Sequence, residues 1–129
     1  MRLQPSEVLF DSSGRSRFLH VEQVIIPLVH RCFFRCRTCE CWKSPGHENV
    51  LTLKDYRSLF PRLRKISGQN TVLSLTGGEP FLNKDIFEII HLAKKSGFRT
   101  TANTNGWLLD REKIVRLHEL GLDTIVFSL

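Results

Sequence analysis

Cys32, Cys36 and Cys39 stand at C-x3-C-x2-C spacing in the stretch Cys32-Phe33-Phe34-Arg35-Cys36-Arg37-Thr38-Cys39. Three thiolates on one short loop can hold three irons of a cubane iron–sulfur cluster. The fourth iron then lacks a protein ligand and is open to a small molecule. Two other chemistries compete for the same thiols. Zinc takes a tetrahedral set, usually from two separated knuckles, and here it would need Cys41 as its fourth ligand. Disulfides suit an exported chain, yet Met1 to Phe10 shows no cationic start followed by an apolar core, as a signal peptide would. Cys41 itself reads as a spare buried thiol, or as a ligand of zinc or of a second cluster.

A second group of residues follows at Gly77-Gly78-Glu79-Pro80. Glycines without side chains let a backbone approach a ligand closely, and Glu79 offers an acceptor. Taken alone, the tetrapeptide has the composition of an ordinary strand-to-helix loop. Further on, Asn103 and Asn105 are two residues apart, as are Ser74 and Thr76, so each pair shares one face of an extended strand. Thr104-Asn105-Gly106 and Ser128 fall at expected strand ends, where they serve either a ligand or simple turn chemistry. His91 and His118 fall in helical segments. His30 and His47 flank the cysteine loop without a pattern that makes them ligands.

The elements that must position these groups repeat along the chain. Val24-Ile25-Ile26-Pro27-Leu28-Val29 reads as a strand buried on both faces, its proline favouring an edge or an end. Thr52, with Asp55 three residues on, caps a helix expected to reach Ile66, kinked at Pro61 and stopped by Gly68. Val72–Thr76 reads as a strand. A helix expected from Asn83 places Ile86, Ile89, Ile90 and Ala93 on one face and ends at Gly97. Thr100–Asn103 is a strand. Asp110 caps a helix with Ile114, Leu117 and Leu120 inward, ending at Gly121, and Thr124–Ser128 is the fourth strand. Helix, glycine and strand in that order, three times, predict βα units building a parallel sheet. Ahead of them, Val8–Phe10 and Arg15–His20 flank the turn signal Asp11-Ser12-Ser13-Gly14, which predicts a hairpin. The expected division is an N-terminal extension over 1–22 and the βα domain over 23–129.

A hydrophobic fraction of 41% and a charged fraction of 25% over 129 residues suit one globular domain. No apolar run approaches the ~20 residues that span a bilayer, so no membrane role is expected and a cytoplasmic protein is the default. The net charge of +6 is scattered, as on a solvated surface, and does not indicate nucleic acid. A complete eight-unit barrel takes about 250 residues. The expectation is therefore a partial TIM-type barrel truncated after the fourth strand, completed by further chain or by a partner.

The cysteine spacing after the first strand and Gly77-Gly78-Glu79-Pro80 after the second, in that order, resemble the radical S-adenosylmethionine (radical SAM) superfamily, whose cores are partial barrels of six βα units. The resemblance covers roughly Val24 to Leu129. It implies a [4Fe–4S] cluster on Cys32, Cys36 and Cys39, with the amine and carboxylate of SAM chelating the fourth iron. It further implies that the cluster reductively cleaves SAM, and that the 5′-deoxyadenosyl radical takes a hydrogen atom from a small-molecule or peptide substrate. A reductant such as ferredoxin or flavodoxin is implied as partner. Gly77, Gly78, Glu79 and Pro80 would meet the methionine amino group, Ser128 the ribose, and Asn105 the SAM pocket. Thr38 stands where many members carry an aromatic residue, so only its backbone is expected to contact adenine. Cys36-Arg37-Thr38-Cys39-Glu40-Cys41-Trp42 looks like members that modify peptides or build cofactors. Arg35 is either close to the cluster or an exposed loop residue, and Trp42 is expected to pack under the loop. A non-catalytic iron–sulfur electron carrier would explain the cysteines but not the Gly-Gly-Glu loop. A zinc-stabilised binding module would need Cys41.

Overall fold

The structure, a computed structural model, describes Val8–Phe10, Ser16–Phe18 and residues 21–44 and 50–128. At its start β1 (Val8–Phe10) and β2 (Ser16–Phe18) pair antiparallel, Val8 opposite Phe18 and Phe10 opposite Ser16. The turn expected at Asp11–Gly14 and the residues His20 and His47 lie outside the described residues.

The βα reading accounts for the rest. β3 (Gln23–Val29), β4 (Val72–Gly77), β5 (Arg99–Thr104) and β6 (Thr124–Phe127) form one parallel sheet in the order β3-β4-β5-β6. The helices α1 (Leu53–Ile66), α2 (Ile86–Lys95) and α3 (Arg111–Glu119) connect successive strands. β3 is an edge strand in this sheet, which tolerates the N–H that Pro27 lacks, and its register against β4 shifts between Pro27 and Val29.

Alternation along the strands divides the sheet into two faces. Ile26, Leu28, Leu73 and Leu75 lie in one core with Tyr56, Phe60, Ile86, Ile89, Ile90, Ala93 and Leu117 from the helices. Each large aliphatic side chain so buried contributes roughly 1.5–3 kcal/mol. The other face carries Ile25 beside Ser74, Pro27 beside Thr76, and Asn103 beside Val126. No helix of the structure covers that row among the described residues, and Ile25 stays 65% exposed. No described helix is long and apolar enough to cross a membrane.

The caps explain where the helices begin and end. Thr52 and Asp55 form a reciprocal capping box at the start of α1. The helix continues through Pro61, which is exposed. It ends without the glycine stop expected at Gly68: Ser67 is extended, and Arg64 Nη2 donates to the carbonyls of Ser67 and Gly68. α2 begins at Ile86 rather than Asn83, because Asn83 is tied up elsewhere. Its Nδ2 donates to the Leu28 carbonyl at 3.1 Å, and its Oδ1 accepts from Asp85 N at 2.8 Å. Gly97 and Gly121 turn the chain at φ +79° and +76° just beyond α2 and α3, a conformation that costs glycine little. On α3, Leu117 is buried and Leu120 half-buried, but Ile114 is 46% exposed because the short strand β6 offers it little cover.

Candidate functional site: the loops at the strand ends

The cysteine loop leaves the C-terminal end of β3, the edge at which parallel α/β sheets gather their sites. Two backbone hydrogen bonds fasten the start of this loop to the neighbouring strand end. Gly78 N donates to Val29 O at 2.9 Å, and Glu79 N donates to Arg31 O at 3.1 Å. So close an approach needs glycine. A Cβ on Gly77, which sits at φ +132°, would overlap the Val29 carbonyl oxygen, and a Cβ on Gly78 would overlap the Arg31 carbonyl and stand 2.9 Å from Cys32 N. The space that the two absent side chains leave is thus filled by the chain itself, by the root of the cysteine loop.

Glu79 binds the third loop to the other two. It is fully buried. Its Oε1 accepts from Thr104 Oγ1 at 2.8 Å and from Phe81 N at 3.1 Å, and its Oε2 accepts from Asn105 N at 2.9 Å. Its carboxylate thus serves donors from the end of β5 and from its own turn. Pro80 is likewise buried, at the first position of the turn Pro80–Leu82. Thr104 and Asn105 extend the network. Thr104 Oγ1 accepts from Gly106 N at 3.0 Å, and Asn105 Oδ1 accepts from Trp107 N at 2.9 Å. Asn105 Nδ2 lies 3.9 Å from Cys32 Sγ, so this turn reaches the first cysteine directly. Trp107 stacks edgewise on Phe34, with ring centroids 5.9 Å apart.

All four cysteines are free; Cys32 and Cys41 are half-buried, and Cys36 and Cys39 are exposed. Cys41 N donates to Cys39 Sγ at 3.5 Å. That backbone hydrogen bond, with one from the Cys41 thiol, holds the Cys39 thiol below its ordinary pKa and favours the thiolate that ligates metal. Cys41, as the side-chain donor to Cys39, is pushed the other way. Among the described residues no three His, Cys, Asp or Glu side chains stand together as a single-metal cluster. A cubane presents its irons at separate corners, so its thiolates stand apart. Three unpaired thiols on one loop, one of them biased toward the thiolate, fit that donor set.

The remaining residues separate into those brought to the site and those left outside it. Asn103 lies on the sheet face without helices, and its Oδ1 is buried with no hydrogen-bond partner among the described residues. Ser128 N donates to Thr104 O at 2.9 Å, which carries Ser128 to the same edge. Thr38 is exposed in the turn between Cys36 and Cys39. Arg35 and Lys43 stack over Trp42, at 5.6 and 5.5 Å from its ring centre, so Trp42 packs against the loop and Arg35 is engaged with it. The sequence reading missed Asn83 as a clamp on β3, and Trp107 as a cover for the cysteine loop. An aromatic residue directly after Thr-Asn-Gly was the available signal for the latter.

A model of the radical SAM superfamily matches residues 26–129. The chain belongs to the radical SAM superfamily. Its relatives include a GTP 3′,8-cyclase of Campylobacter fetus, 36% identical over 129 residues, covering 95% of this chain and 37% of that protein. An Fe-coproporphyrin III synthase of Methanosarcina barkeri is 33% identical over 107 residues, covering 82% of this chain and 26% of that protein. The chain thus spans about a quarter to somewhat over a third of these relatives. Among solved structures, BtrN in complex with AdoMet and 2-DOIA superposes with a TM-score of 0.72 at 20% identity, covering 83% of this chain and 45% of that one. Streptococcus suis SuiB bound to S-adenosylmethionine gives 0.72 at 22% identity, covering 85% and 25%. These structures share the fold, and the four parallel strands match part of a radical SAM barrel. The superfamily uses a [4Fe–4S] cluster, and both structural neighbours are complexes with SAM.

Proposed function

We propose that this chain is the N-terminal part of the catalytic core of a radical SAM enzyme, with Cys32, Cys36 and Cys39 holding the [4Fe–4S] cluster. The observation that carries this reading is the joining of three loops at one sheet edge. The cysteine loop is hydrogen-bonded to the Gly-Gly-Glu loop through Arg31 and Glu79. The Gly-Gly-Glu loop is bonded through Glu79 to the Thr-Asn-Gly turn, and Asn105 of that turn returns to Cys32. A plain electron carrier has no need of that assembly.

When bound, the cluster and SAM supply reductive cleavage of the sulfonium S–C5′ bond and a 5′-deoxyadenosyl radical for hydrogen-atom abstraction. The protein's part is to hold and to shield. Gly77 and Gly78 bring the backbone of their loop against the root of the cysteine loop, where it meets the amino-acid end of SAM. Glu79 acts as a positioning residue for that loop. Asn103, with its buried unpartnered oxygen, offers an acceptor on the open sheet face, and Asn105 and Ser128 line the same edge. Thr38 contributes backbone only. Asn105 also donates toward Cys32 Sγ, which ties the first cysteine to the Thr-Asn-Gly turn.

A GTP cyclase and a coproporphyrin synthase are similar to this chain at comparable identity. The segment they share with it therefore supports the SAM chemistry, and substrate choice belongs to regions of the relatives that this chain does not span. The activities of these relatives favour a small-molecule substrate of cofactor synthesis over a peptide. A ferredoxin- or flavodoxin-type reductant and a cytoplasmic location follow from the same reading.

The test is anaerobic reconstitution with iron and sulfide, read by visible absorption, metal analysis and electron paramagnetic resonance. A broad visible band that Cys32→Ala, Cys36→Ala and Cys39→Ala each abolish, while Cys41→Ala retains it, is the expected result. A colourless protein with one zinc, or equal loss in Cys41→Ala, defeats the three-ligand reading.

A further inference from the structure

Two residues that each carry a buried polar atom without a partner, Tyr56 and Arg64, line one crevice, away from all three loops of the cysteine site. The crevice lies between α1 and α2 on the helix side of the sheet, with a volume of about 660 Å³, within the range of small-molecule sites. Tyr56 is fully buried, yet its hydroxyl finds no hydrogen-bond partner among the described residues; nor does Arg64 Nη1. A hydroxyl or guanidinium N–H taken from water without a partner is costly, so such atoms commonly mark where something else binds.

The surroundings fix what that is. Arg64 is held rigidly: Nη2 donates to the carbonyls of Ser67 and Gly68, and the guanidinium lies over the Phe98 ring at 5.0 Å from its centre. Nη1 is buried and has no partner among the described residues. Lys95 adds a second cation at the same end of the helix pair. Arg57 and Glu88 pair with each other at 3.6 Å, so the one acidic side chain of the crevice is already neutralised. Tyr56, whose ring packs on Phe60, and Leu92 supply apolar wall.

We infer that this crevice is a second binding site, for a small organic anion: a carboxylate or phosphate monoester bound by Arg64 Nη1, Lys95 Nζ and the Tyr56 hydroxyl, its apolar body lying along Leu92. The site is independent of the cluster, and its occupant need not be the substrate or SAM.

The experiment uses the intact protein with 3-fluorotyrosine placed at position 56, titrated with phenyl phosphate, benzoate, inorganic phosphate and benzyl alcohol, with ¹⁹F resonance as the local readout and calorimetry for affinity. A saturable shift with phenyl phosphate or benzoate, at about tenfold or better affinity than benzyl alcohol, is expected. Which of the two binds more tightly tells phosphate from carboxylate, and a shift with inorganic phosphate alone shows an adventitious ion only and overturns the proposal. Lys95→Glu should weaken binding by about tenfold. Tyr56→Phe should weaken it too, while leaving thermal stability unchanged or raised, since the hydroxyl has no partner to lose. No shift with any probe, or a Tyr56→Phe protein that unfolds more readily and binds equally well, overturns the proposal.

Discussion

Replacing Gly78 by alanine separates two roles for the Gly-Gly-Glu loop. If the glycine only leaves room for SAM, alanine weakens SAM binding and leaves the metal centre alone. The geometry says otherwise. The new methyl group would overlap the Arg31 carbonyl and sit 2.9 Å from Cys32 N, against backbone that cannot rotate away as a flexible side chain would. Relief requires the two strand ends to part by on the order of 1 Å, the kind of backbone shift that overpacking forces at a cost of about 1–3 kcal/mol. The same movement strains the bonds from Gly78 N to Val29 O and from Glu79 N to Arg31 O, each contributing roughly 1 kcal/mol. Together these give about 2–4 kcal/mol of destabilisation, enough to lower Tm by roughly 10 °C in a domain of this size. The damage also falls on the residue preceding Cys32. Gly78→Ala is therefore expected to lose iron on anaerobic reconstitution as well as stability to heat, both measured on the same preparation. A Gly78→Ala protein with full iron content, an unchanged unfolding midpoint and weaker SAM binding would refute the reasoning and restore the view of the glycine as ligand clearance.

Three further outcomes follow from the same contacts. Glu79→Gln turns an amide toward either Asn105 N–H or the Thr104 hydroxyl, leaving a buried donor unsatisfied. A loss of roughly 1–3 kcal/mol by chemical denaturation is expected, and unchanged stability would show that the network is not formed. Asp123, although partly desolvated, accepts from Lys94 Nζ at 2.6 Å and Thr100 N at 2.7 Å, which holds its carboxyl below the usual range. Its contribution is present above the unfolded value of about 3.9 and is lost as pH falls toward the folded one, so Asp123→Asn should cost roughly 1–2 kcal/mol at pH 7 and progressively less below pH 4; a pH-independent difference counts against the ion pair. Expressed alone, these 129 residues should self-associate through the edge strands β3 and β6 and the uncovered sheet face, where Ile25 is 65% and Val126 42% exposed, and Ile25→Lys should shift sedimentation toward monomer; a wild-type monomer at high concentration would contradict this.

The parts of the fold legible in the sequence are those written within a few residues. Thr52 with Asp55, the face Ile86, Ile89, Ile90 and Ala93, and Gly97 and Gly121 after their helices are local signals, and the structure realises each of them. Pro27 was rightly read as a mark of the edge. Less was visible where a residue answers to a distant partner. Asn83 has the chemistry of a helix cap, and its Oδ1 accepts from Asp85 N, but its Nδ2 is claimed by Leu28, 55 positions earlier. Gly68 follows a helix but is not its stop: Ser67 is already extended, and Arg64 reaches past the helix end to the carbonyls of Ser67 and Gly68. For Glu79 the family resemblance implies a part in meeting SAM, and the only local partner of its carboxylate is Phe81 N. Its other partners are Thr104 and Asn105, 25 and 26 positions on. The reading of residue types was sound, and the pairing was supplied only by the sheet.

That difference bears on how the site works. In a parallel sheet every strand ends at the same edge, so loops far apart in the chain become neighbours whatever their own sequences prefer. Each of the three loops here contributes one connection to the next: a carbonyl at Arg31, a carboxylate at Glu79, an amide at Asn105. The connections form a closed circuit from the cysteine loop through the Gly-Gly-Glu loop to the Thr-Asn-Gly turn and back to Cys32. A circuit of directional bonds fixes loops that otherwise have few contacts of their own, which is what the proposed cluster site, with Cys36 and Cys39 exposed, requires. Breaking it at Gly78 or at Glu79 should therefore disturb the cysteines even though neither residue is a metal ligand, whereas removing Cys41, which touches the circuit only through Cys39, should not.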